Sequence, residues 1–303
     1  MFFRNLTLFR FSPAVADGLN LIDALNDHPL RTPGPVELAT AGFVPPAYSE
    51  DAVLALTAGH FSLFAVGRAQ RLLPAAVLNQ ALAEKVKQVA AQEGRRVGGR
   101  ERRRLRDDLL TEMLPRAFVQ HTRVLAYVDR RAGWLVVDTS SRKVAEGVVS
   151  LVREALGSFP AVPPAPEESP RLLLTDWLAT GNLPAGLAFG DECELRDPST
   201  ATGAIAISRR QDLDAEEVRE HLRNGKHVTR LGLVLDDRIS FVLGDDLVVR
   251  KLRLLDIALD DLPDDQEDAF GVAAAQFTLL SLEVERLLSR MAEWFGLSRP
   301  ADA

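Results

Sequence analysis

Apolar residues recur at helical steps in four long stretches of the chain. These are Leu78, Leu82, Val86 and Val89; Leu105, Leu109 and Met113; Val144, Val148, Leu151 and Val152; and Phe277, Leu280, Val284, Leu287, Met291 and Phe295. Steps of mainly three and four stack such residues on one helix face. The first two stretches form a pair of helices. Pro74 lies at the start of the first, Gly94, Gly98 and Gly99 supply the turn, and Pro115 follows the second. The third helix stops at Gly157. Shorter amphipathic helices are expected around Leu19, Ile22 and Leu25, over 172–179 with Trp177, and over 215–224. In the last, Asp214 and Glu217 are spaced as a capping box and Gly225 is the stop.

Period-two stretches lie between these helices. Strands are expected at 3–11, 61–66, 124–128 and 134–138, with a turn at 131–133 joining the last two. A second group falls at 205–210, 228–235, 238–243 and 247–255, with turns at 236–237 and 244–246. In that group Leu231, Leu233 and Leu235 share one face, and Ile239, Phe241 and Leu243 another. Alternation of this kind marks antiparallel sheets with one packed and one wet face. The fold class is therefore α+β, with packed helices and a helical hairpin. Residues 28–35 and the GFVPP run at 42–46 read as loops, and the proline-rich 159–170 reads as a linker.

Charge is distributed unevenly. Seven arginines (Arg95, Arg96, Arg100, Arg102, Arg103, Arg104 and Arg106) crowd the hairpin tip against one acid, Glu101. They serve either as a solvated surface or as a contact for a polyanion. Arginine in place of lysine favours phosphate, because its planar fork matches phosphate oxygens. No aromatic residue at the tip offers a stacking surface for single-stranded bases. The wet sheet face is expected to be basic as well, through Arg210, Arg230, Lys251 and Arg253, although strand faces also carry such residues for solubility or edge protection. The net charge of −7 hides this polarity, since 256–268 holds seven acids and no base.

A length of 303 residues suggests about two domains, or one with an insertion. Cys193 stands alone, which excludes intramolecular disulfides and thiolate metal clusters. No apolar run approaches the roughly 20 residues that cross a bilayer. The opening MFFRNLTLFRF has no secretory pattern, so a cytoplasmic location is expected. Neither phosphate-loop nor dinucleotide glycine motif is present, and there is no nucleophile elbow. His28, His60, His121, His221 and His227 show no metal-ligand spacing, so no metal or cofactor is expected. The acidic run at 256–268 leaves a metal-dependent nuclease open as an alternative, beside a protein-only adaptor and an RNA binder.

An ordered series of blocks carries a family resemblance: FFRNLTLFRF, GFVPP, LLPAAVLNQALAEKV, LPRAF, LVREALGSFPAVP, LTDWL, FGDECELRD, RRQDL, HLRNGKHVTRLGL and ISFVLGDDLVVRKLR. In this order they resemble the recombination-associated RdgC family of proteobacteria. The resemblance implies horseshoe-shaped subunits that pair into a ring dimer around duplex DNA, with single-stranded DNA as a second candidate. It implies weak sequence preference, restraint of the RecA recombinase, a place in the nucleoid, and no catalysis. It also implies a central domain (1–72 and 119–160), a hairpin tip (73–118) and a base domain (161–303). On this sequence the ring-lining positions would be Arg209, Arg210, Gln211, Lys226, Arg230, Arg250, Lys251 and Arg253. Arg116 would lie at the hairpin root, with Phe118 as a contact across the subunit junction.

Overall fold

The protein is described by a computed structural model covering residues 2–17, 20–47, 53–197, 205–209, 216–263 and 269–301, with backbone alone at 16–17, 205–209 and 216–219. In chain order the elements are β1 (Thr7–Arg10), α1 (Pro13–Asp17), α2 (Leu21–Asp27), β2 (Ala39–Val44), β3 (Ala55–Ala58), β4 (Phe61–Leu72), α3 (Ala75–Glu93) and α4 (Gly99–Met113). A 3-10 turn at Leu114–Arg116 leads to β5 (Phe118–Asp129), β6 (Trp134–Val137), α5 (Arg142–Leu156) and α6 (Pro170–Thr180). Then come β7 (Leu187–Arg196), β8 (Ile205–Arg209), α7 (Glu216–Arg223), β9 (His227–Leu235), β10 (Ile239–Gly244), β11 (Val249–Leu254), α8 (Asp256–Leu259) and α9 (Ala269–Phe295). Every strand pair with a described register is antiparallel, so the class is α+β.

Contacts divide the chain into two compact units, 1–27 with 45–65 and 124–303, and 28–44 with 66–123. In the first, β1 pairs β6, β6 pairs β5 and β3 pairs β4. A five-stranded sheet follows in the order β11-β10-β9-β7-β8. Residues 4–6 join the two sheets. Leu6 exchanges backbone hydrogen bonds with Val249 (2.8 and 3.1 Å), and Leu252 N–H donates to Arg4 (2.9 Å). The strand expected at 3–11 is thus split between two sheets, and only Thr7–Arg10 forms β1.

Helix α9 lies at the centre of this core. Its expected stripe of Phe277, Leu280, Val284, Leu287, Met291 and Phe295 is buried throughout. Phe277 meets Tyr127 edge-on at 5.7 Å, and Tyr127 meets Phe61 edge-on at 5.9 Å. Trp177 of α6 packs edge-on against Trp294 at 5.6 Å. The Arg238 guanidinium adds a polar clamp, donating to the buried Glu283 carboxylate at 2.6 Å and also to Asp261. The proline-rich 159–170 is no loose linker. Its Phe159 is fully buried, Val162 exchanges hydrogen bonds with Arg10, and Glu167 N–H donates to Phe295 at 2.9 Å.

Other elements differ from the sequence expectation as well, since β3 and β7 were not expected and β5 starts at Phe118 instead of 124. Residues 42–44 of the expected loop belong to β2, where Phe43 bonds His28 and Leu30 at 2.9 Å each. A Cβ on Gly42 would stand 2.5 Å from the Leu30 backbone, so this close pairing requires glycine. Strand β4 runs on to Leu72 instead of ending at Val66. The Phe277→Ala variant should lose about 3–5 kcal/mol of stability, because it removes a ring from a filled core. Urea unfolding of the purified chain measures this, and a loss under about 1 kcal/mol would mean that the α9 stripe is not a packed core.

Candidate nucleic-acid interface

The hairpin belongs to the second unit. Leu78 and Leu82 of α3 are buried, whereas Val86 and Val89 are half-buried and α4 buries no residue fully. Gly94 closes α3 at φ 64°, and Gly98 caps α4. At the tip, Arg95 bonds Glu101 at 2.7 and 2.8 Å and also pairs with Glu93. That pairing holds the Glu101 carboxyl below its ordinary range. The tip's one acid is therefore taken by one arginine. Arg96, Arg100, Arg102, Arg103, Arg104 and Arg106 are exposed and form no ion pair with any described residue. Arg100 and Arg102–Arg104 occupy the first turns of α4, where the helix dipole adds positive potential to theirs.

Arg71 fixes the hairpin root, a role its sequence position does not reveal. Its guanidinium donates to the carbonyls of Leu114 (3.1 Å), Pro115 (3.2 Å) and Pro33 (3.2 Å). The turn so held presents Arg116 and Phe118 to solvent, and Phe118 is 85% exposed. Val36, Leu38 and Leu72 of the same unit are exposed apolar residues too.

The sheet face of the first unit has a different electrostatic character. Arg250 and Lys251 follow Val249, and a bulge sets Lys251 and Leu252 opposite Phe241. Lys251 takes φ 53° there. This lets Val249 and Leu252 both point into the core while Lys251 and Arg253 face out, as the alternation predicts. The expected basic face is nevertheless largely neutralised. Strand β7, absent from the sequence reading, brings Glu192 to Lys251 (2.6 Å) and Glu194 to Arg230 (2.9 Å). Arg250 is tied to Asp246 at 2.7 Å. Lys226 Nζ lies 3.2 Å from His221 Nδ1. Arg253 is exposed without an ion-pair partner among the described residues, and it lines a cavity of about 300 Å³ with Glu192, Ser240 and Lys251. Arg209 ends β8 with its side chain undescribed, and Arg210 and Gln211 lie outside the described residues.

The acidic run does not build a metal centre from what is described. Asp261 is engaged by Arg238, and 264–268 lie outside the described residues. Sequence spacing missed a different grouping, in which His60, Asp129 and Glu285 come together with ligand atoms within 4.8 Å of one another. Among the described residues no helix is long and apolar enough to cross a membrane.

Because the tip arginines touch nothing that folding needs, the triple variant R102A/R103A/R104A should keep the parent's unfolding free energy within about 0.5 kcal/mol. Far-UV circular dichroism in urea checks this. A larger loss would assign those side chains a structural role.

A family model described as "Putative exonuclease, RdgC" matches residues 1–298. Proteins of Xanthomonas oryzae pv. oryzae (strain MAFF 311018) and Xanthomonas campestris pv. campestris (strain B100), each named Recombination-associated protein RdgC, are 46% identical over 301 residues, 99% of this chain and of their own. One of the same name from Xylella fastidiosa (strain M23) is 47% identical over 291 residues, 95% of either chain. With this match along nearly its whole length, the chain belongs to the RdgC family, whose curated members are named for an association with recombination.

Proposed function

We propose that this chain binds duplex DNA with little regard to sequence, as a homodimer closing into a ring, and so restrains RecA-dependent recombination in the nucleoid without catalysis. The six unpaired arginines of the hairpin tip carry this reading. Like charges gathered on a narrow hairpin repel one another, and a nearby polyanion relieves that repulsion. Guanidinium groups also suit phosphate oxygens and read no sequence when they stay on the backbone. The exposed Phe118 beside a fixed root suits a contact with a second copy. Recombination as the setting rests on the names of the relatives.

The pairing of the sheet face divides the labour between the two basic regions. Lys251 and Arg230 already have carboxylate partners, so they release few counterions on meeting DNA, whereas the tip arginines and Arg253 release their full share. Log K should fall linearly with log[salt], by roughly 0.9 per phosphate neutralised. The K251A/R253A variant should flatten that slope by about one unit, since only Arg253 is unpaired. R102A/R103A/R104A should mainly slow association, because unpaired charge steers encounter over long range. E192Q/E194Q should tighten binding by freeing Lys251 and Arg230.

Stopped-flow association and dissociation on two unrelated duplexes, with sedimentation to give the oligomeric state, tests the set. Parent-like association by the tip variant at low salt would sink the hairpin's role. A strong preference for one duplex would sink backbone recognition. A monomer at micromolar concentration with unchanged affinity would sink the ring.

A further inference from the structure

We infer that His60, Asp129 and Glu285 form a binding site for one divalent transition-metal cation of the Zn²⁺ or Mn²⁺ class. The site lies in the first unit and is independent of the DNA-binding reading. Three elements converge on it. His60 stands in the turn between β3 and β4, Asp129 ends β5, and Glu285 comes from α9.

The donor set suits such an ion, because one imidazole nitrogen with two carboxylate oxygens matches zinc and its neighbours better than magnesium or calcium. The spacing suits it too. Ligands about 2.1 Å from a common ion stand roughly 3.0–3.4 Å apart at tetrahedral or octahedral angles. His60 Nε2 is 3.3 Å from Glu285 Oε1 and 3.8 Å from Asp129 Oδ1. A small side-chain adjustment would close the set.

The surroundings supply independent observations. The Ala132 N–H donates to Asp129 Oδ1 at 2.9 Å, fixing that carboxylate as an outer-shell partner does. Tyr127 is fully buried, and its hydroxyl finds no hydrogen-bond partner among the described residues. Tyr127 stands two residues before Asp129 on β5, and strand alternation puts the two on one face. A buried polar group without a partner calls for an explanation, and a water on the bound cation would provide one. Access is open, since Asp129, Glu285 and Arg131 line a cavity of about 700 Å³.

Arg131 gives the proposal its sharpest consequence. Its guanidinium donates to Glu285 Oε1 at 2.8 Å, the oxygen that faces His60. In the plain ion-pair reading, Arg131 and His60 simply face two acids, and removing Arg131 gains nothing for a cation. In a metal site Arg131 is the competitor for Glu285.

The test uses the full chain with Co²⁺ as a spectroscopic probe and Mn²⁺ and Zn²⁺ in calorimetric and thermal-shift titrations. The parent should bind one equivalent, show visible Co²⁺ absorption and unfold at a higher temperature. H60Q, with unchanged circular dichroism, should lose all three effects. R131A should bind several-fold more tightly, and Y127F about tenfold more weakly, as loss of an outer-shell partner does. No Co²⁺ absorption and no thermal shift in the parent would overturn the site, as would parent-like binding by H60Q. Weaker binding by R131A would also overturn it, and that variant removes an exposed side chain with little risk to folding.

Discussion

Removal of one face of α9 from water is the constraint on which the larger unit depends. The helix runs for 27 residues, and its buried stripe extends from Ala273 to Phe295. The same continuous core takes in Phe3, Tyr127 and Trp177 with Leu231 and Leu243, so α9 packs with residues of both sheets and α6. Burial of this kind is non-directional and sets proximity more than orientation. Orientation comes from the directional contacts around it. Edge-on rings at Tyr127 and Trp177 have preferred geometries, and Arg238 aims the β9–β10 turn at Glu283. Glu283 is almost wholly buried, which is tolerable only because Arg238 and Arg286 both donate to it.

What the sequence revealed follows the same division. The α9 stripe, the β9–β11 alternation and the α5 helix ending at Gly157 were legible, because each is one face of one element and periodicity reports faces. Strand β7 was not legible. Its LAFGDECELR buries only Leu187, Cys193 and Leu195, and its register breaks between Phe189 and Cys193, so no even alternation survives. A Cβ on Gly190 would stand 2.9 Å from the Gly232 backbone, and the glycines that permit this approach look like loop residues in a linear reading. Strand β2 was hidden in the same way by Gly42. The cost of missing β7 was electrostatic, since Glu192 and Glu194 come with it and convert an expected basic face into a paired one. The hairpin arginines were legible because they are neighbours in sequence. His60, Asp129 and Glu285 were not, because only the folded chain brings them together.

The charge pattern of α4 links local structure to purpose. Along this helix five arginines in 100–106 give way to Asp107, Asp108 and Glu112. A helix macrodipole prefers acids in the first turn and bases in the last, so this order runs against the preference of the isolated helix. Only Glu101 in the first turn, bonded to Arg95, offsets this, for α4 buries no residue fully and its N-cap Gly98 has no side chain to cap the helix. Several lysines and arginines elsewhere are placed beside carboxylates, as at Arg31 with Glu37 or Lys251 with Glu192, where the fields cancel within a few ångströms. At the tip they add, and an unscreened field reaches about 8–10 Å into solution at physiological salt. Folding alone would select against that arrangement, by self-repulsion and by the dipole together. Such a charge order serves no ion pair among the described residues beyond Arg95, and the sign of its field is the one that the proposed polyanion contact requires.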